Sequence, residues 1–302
     1  MSRQKTLYIA LMFKRHPRYS KSVVFKLCST YDKVPKMVES DFNSNPDQIP
    51  KSKPSIPLTI NATPFFSKRR MALFEVILCS GFPTQLFVAL TLHSFGLTAI
   101  DQTGQLLLGY VVTLSLIDSV ILVGLIIYFL HLHDERLTDV FLGNKPNRPE
   151  IALGIILVPF MVVFAIITLG TLHYFWPWLR NVPANPMEAL IQSPIDAFVF
   201  ILVGVIAGGL REEIQRAFVL HRFEQHLGGG WLGLCMFSVV FGLGHYVQGW
   251  DVSISTAILG GCWGAIYLLR KNVISPIVSH AGFNLTEILL AYFSTSAFIF
   301  YL

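Results

Sequence analysis

From Phe198 to Leu220 the chain is apolar except where Arg211, Glu212, Glu213, Gln215 and Arg216 interrupt it. At about 1.5 Å per residue a run of this length crosses a bilayer as a helix, and this constrains the fold more than any other feature. Lipid offers no partner to backbone N–H and C=O groups, so the segment must be helical. Its charges must then face protein or a water-filled cavity. Helical spacing makes the cluster legible: Glu212 and Arg216 are four apart, and Glu213 and Arg216 three apart, so each pair shares a face. An acid beside a fixed cation in a low dielectric suits a positioned general base. Taken alone, the stretch also fits a short amphipathic helix whose charges face water.

Similar apolar runs recur along the chain. Charged residues make up only 14% of the 302, against roughly 25% in soluble domains. The pattern predicts an all-α, polytopic transmembrane bundle with spans at 71–94, 105–131, 151–174, 195–226, 230–249, 253–270 and 274–300. That is seven spans, or eight if 195–226 hinges at Gly208-Gly209, with a four-helix catalytic core in the C-terminal half. Residues 1–70 differ in composition, rich in Lys, Arg, Ser and Pro, and read as a basic, largely disordered tail ahead of a transmembrane domain at 71–302. Met71 is an alternative start. The net charge of +5 resides mostly in this tail and beside the spans, which argues against a nucleic-acid partner. Lys68, Arg69 and Arg70 precede the first span, Arg270 and Lys271 follow the sixth, and 95–104 carries neither Lys nor Arg. This asymmetry places the N-terminus and the loop after Arg270 in the cytoplasm. Cys28, Cys79, Cys235 and Cys262 are scattered and read as free thiols.

Two further polar pairs interrupt apolar helices. Phe241 and His245, and His280 and Asn284, are each separated by one helical turn. Either histidine alone would ordinarily be a hydrogen-bonded core residue. Their depth favours a joint site. Counting outward from Gly229, Glu212 lies 17 residues back and His245 16 residues on, so an antiparallel hairpin sets them level. Two carboxylates, an arginine, two histidines and an asparagine then meet near mid-membrane. A glutamate can deprotonate water, an imidazole can orient it, and Asn or the second His can stabilise an oxyanion. His245, His280 and Glu212 are also candidate ligands for a divalent metal such as zinc, although no HExxH motif demands one. No Gly-x-Ser-x-Gly supplies a serine nucleophile.

Over about 195–290 the chain resembles the CAAX prenyl protease and bacteriocin-processing (CPBP, or abortive-infection) intramembrane endopeptidases, whose pattern is Glu-Glu-x-x-x-Arg, Phe-x-x-x-His and His-x-x-x-Asn. Phe241/His245 and His280/Asn284 match in order. The first motif departs: Glu212-Glu213-Ile-Gln-Arg216 has two intervening residues instead of three, which leaves open which glutamate is the base. The resemblance implies hydrolysis of membrane-associated peptides by a glutamate-activated water. It assigns catalysis to Glu212, Glu213, Arg216, His245, His280 and Asn284, with Phe241 in support. The bacterial inner membrane is the expected location. Two other readings stand beside it: an inactive immunity or scaffold protein of the same fold, and a proton-coupled transporter. Asp118 reads as a buried hydrogen-bonding or pore-facing acid.

Overall fold

A computed structural model describes residues 63–143 and 146–299, with side chains from 68 to 294. The expectation for the basic tail therefore lies largely outside the described residues. Among these, the chain is helical, with one isolated antiparallel bridge between Ile100 and Leu106.

Helix α1 (Thr63–Leu78) begins ahead of Met71, and α2 (Phe82–Ser94) follows a 44° bend. The bend sits at Gly81, whose φ of 92° suits glycine. There the freed Cys79 carbonyl accepts a 2.8 Å hydrogen bond from Gln215. Next come α3 (Leu108–Leu132), the short α4 (Leu137–Phe141) and α5 (Asn147–Phe175). A loop with 3-10 turns at Pro177–Leu179 and Glu188–Leu190 leads to α6 (Pro194–Val203). The Ser193 hydroxyl caps α6 by accepting from the Asp196 N–H at 3.2 Å. Residues Gly204–Arg211 form a π-helical segment that runs directly into α7 (Glu212–His226). Helices α8 (Gly230–Leu243), α9 (Trp250–Arg270) and α10 (Ile274–Ile299) complete the bundle.

Among the described residues, four elements are long and apolar enough to cross a bilayer: α3, α5, the continuous 33-residue stretch Pro194–His226, and α9. The bent α1–α2 pair makes up to five. The expected seven or eight spans are thus not confirmed. The region expected at 230–249 forms only a 14-residue helix, because a tight turn at Tyr246–Gln248 ends it early. Helix α10, at 26 residues, is not among these four.

The largest apolar cluster lies between α1, α3 and α7 and includes Leu122, Ile126, Leu130, Phe218 and Val219. Its charged rim is bonded across helices. Arg222 donates to the fully buried Glu75 at 2.5 Å and also pairs with Glu135. Helix α10 packs along α5 and along the π-helical segment, and α8 packs along α9. The C-terminal helices thereby enclose α7 and its carboxylates.

Candidate active site

The site is built on the seam between the π-helical segment and α10. Here Glu212 donates its backbone N–H to the Ala207 carbonyl, five residues back. π-Helical turns of this kind are rare and recur at functional positions. Glycines make the seam close. A Cβ on Gly208 would stand 2.2 Å from Asn284 Nδ2, and one on Gly209 would stand 2.6 Å from Ala281 Cβ. Asn284 Nδ2 donates to the Gly204 carbonyl at 2.9 Å, which anchors its carboxamide to the π-helical backbone.

The two glutamates occupy different environments. Glu213 is buried, accepts a 2.8 Å hydrogen bond from His280 Nδ1, and is ion-paired with Arg216 one turn on. A buried carboxylate costs several kcal/mol unless it is both paired and hydrogen-bonded, and Glu213 is both. Glu212 is 18% exposed, with Oε2 3.9 Å from His280 Nε2. That separation is too long for a direct hydrogen bond. Arg216 therefore pairs with the second acid of the motif, and the first remains the freer one.

Arg216 also joins His245, in the turn just after α8, to the cluster. Its guanidinium lies over the Phe241 ring, 4.7 Å from the centroid, and that ring is 5.0 Å from the His245 imidazole. The His245 Nδ1–H donates to the Phe241 carbonyl at 3.0 Å, since a carbonyl only accepts. Its Nε2 is thus the nitrogen left to accept a proton or orient water. The structure brings Glu212, Glu213, Arg216 and His280 into one polar cluster. Phe241 and His245 reach it through Arg216, and Asn284 stands one turn along α10 from His280. The polar contact of His245 is the Phe241 carbonyl.

Two features were absent from the motif reading. Trp263 on α9 stacks on His280 with centroids 3.9 Å apart and rings 14° from parallel. No spacing rule on a single helix signals that contact. The other is the buried ion pair of Arg211 with Asp118. An isolated base in one apolar span and an isolated acid in another were its available signal. Asp118 is accordingly a buried, bonded residue. Cys79, Cys235 and Cys262 are free thiols, and Cys28 lies outside the described residues.

The expected metal ligands are His245, His280 and Glu212. Among the described residues, no three His, Cys, Asp or Glu side chains gather closely enough to hold an ion.

No curated protein and no solved structure matches the chain. A family model described as type II CAAX prenyl endopeptidase Rce1-like matches residues 194–286. The match begins with α6 and ends just beyond Asn284, so every candidate catalytic side chain falls within it. Residues 194–286 thus match the CAAX prenyl protease and bacteriocin-processing family.

Proposed function

We propose that the protein is an intramembrane endopeptidase that hydrolyses peptide bonds of membrane-associated substrates, with Glu212 as the general base. The observation that carries this reading is the division of labour between the two glutamates. Glu213 is buried and held through Oε1 by Arg216 and His280, whereas Glu212 keeps a partly exposed carboxylate 3.9 Å from the His280 ring. A base must reach its water, and Glu212 is the acid with room for one.

Glu212 accepts a proton from water, and the oxygen attacks the scissile carbonyl carbon. His245 Nε2 orients that water, because its other nitrogen is fixed on the Phe241 carbonyl. Of the two N–H groups of Asn284, one is held by Gly204. The other is available to the oxyanion, beside His280. The tetrahedral intermediate collapses as Glu212 returns the proton to the departing amine. No step of this sequence is routed through a metal.

The test is cleavage of a membrane-peptide library by purified protein in lipid nanodiscs. Glu212→Gln should abolish turnover at every pH, and a chelator should leave the wild type unchanged. Full activity in Glu212→Gln would end this assignment. A second reading, a catalytically silent relative, draws on the two-residue interval before Arg216. Absence of cleavage by the wild type, with and without added zinc, would favour it.

A further inference from the structure

We propose that Trp263 is a positioning residue for His280, setting the plane of its ring in the site; its catalytic consequence rests on the hydrolase reading above. Hydrogen bonds constrain an imidazole only in its own plane. Glu213 holds Nδ1 at 2.8 Å, and that one bond still lets the ring rock about its Cβ–Cγ bond. A pivot swings Nε2 through an arc and alters its 3.9 Å approach to Glu212. Something must fix the face of the ring.

Trp263 does so. Its indole lies almost parallel to the imidazole at stacking distance, and it is itself immobilised on three sides. The indole Nε1–H donates to the Ser279 hydroxyl at 3.1 Å. Phe283 meets it edge-on, with centroids 5.7 Å apart and planes at 72°. Met161, Ala165 and Leu259 pack around it, and Trp263 is only 1% exposed. Ser279 immediately precedes His280 in the chain. One turn of α10 therefore supplies both the ring to be oriented and the hydroxyl that orients the indole. Aromatic pairs in such contact contribute about 0.5–1.5 kcal/mol beyond their buried area, and that energy depends on the relative orientation of the rings.

A tryptophan that merely filled the core would be replaced equally well by any apolar residue of adequate size. Positioning makes a different demand. Trp263→Phe keeps a flat face and loses the N–H, whereas Trp263→Leu keeps apolar bulk and loses the face. The experiment compares the two variants in kcat, KM and the NMR signal of His280 Cε1–H. The signals are read on protein labelled with 13C at histidine Cε1 and assigned by their loss in His280→Gln. The leucine variant should lose kcat on the order of 10²-fold, as misplaced catalytic groups do, with KM within about twofold. The phenylalanine variant should stay within about tenfold of wild type. The indole ring current should hold the His280 signal upfield in the wild type, and the signal should move downfield in Trp263→Leu.

Equal kcat in the two variants, or an unmoved His280 signal in Trp263→Leu, would overturn the proposal. Should the leucine variant fail to fold, Ser279→Ala replaces it, since that change frees the indole without removing it. It should lower kcat and shift the same signal, and a signal and kcat equal to wild type would overturn the proposal. A wild type that cleaves nothing would sink the hydrolase reading alone, because the spectra still decide whether Trp263 sets the His280 ring.

Discussion

At the residue scale, the two adjacent glutamates carry different loads. Arg216 is buried with Glu213 and has an aromatic ring beneath its guanidinium. Removing one partner of such a pair leaves an uncompensated charge, which costs about 3–5 kcal/mol. Arg216→Ala should therefore lower thermal stability sharply as well as activity. Glu213→Gln removes the charge and keeps the shape. It leaves the buried Arg216 charge uncompensated, so it should fold but unfold at a lower temperature in detergent, and it should retain a measurable fraction of kcat. Glu212→Gln should match wild type in stability and have no turnover. A Glu213→Gln protein as inactive as Glu212→Gln, with unchanged stability, would reverse the two roles.

At the element scale, the π-helical segment and α10 form the seam on which the site depends. Gly209 lies against Ala281, and an added Cβ would stand 2.9 Å from the Ala281 Cα, a backbone atom. Gly209→Ala should overpack the seam at a cost of about 1–3 kcal/mol. Because the displaced helix carries His280 and Asn284, activity should fall further than stability, as parallel turnover and unfolding measurements would show. The sequence made much of this seam legible. Charges in an apolar run demanded partners, and helical spacing paired Glu213 with Arg216 and placed Asn284 one turn from His280. The choice between the glutamates was illegible, because it depends on which carboxylate the neighbouring α10 covers. The π-helical turns were illegible too, since Gly204–Arg211 reads as an ordinary apolar helix with two glycines. The span expected at 230–249 is not confirmed, for a related reason. Apolar residues continue past Leu243, but the backbone turns at Tyr246–Gln248, and hydropathy does not register a turn.

At the scale of the whole molecule, orientation follows from where the cations lie. Tags at 131–150 and 270–273 should report the cytoplasm, and a tag at 95–104 the opposite side. Glu135, in the loop after α3, belongs to an ionic network that ties three parts of the chain together. Arg222 on α7 pairs with Glu75 on α1 and with Glu135, His133 bonds Glu75 at 2.6 Å, and His221 bonds Glu135. Burial pushes the Glu135 carboxyl up, but bonds to His221 and Arg222 outweigh it and hold the group at about 2, against an ordinary 4.5. A carboxyl whose folded pKa is depressed contributes stability above its unfolded pKa and loses it as pH falls through the folded one. The Glu135 contribution is therefore complete above about pH 4.5 and declines between there and about pH 2. Thermal unfolding in detergent at pH 6, 4 and 3 should show the wild type losing stability across that window. Glu135→Gln should start lower at pH 6 and fall less steeply, because it has no carboxyl at this position to protonate. Parallel curves for the two proteins would mean that Glu135 does not tie α7 to the rest of the bundle.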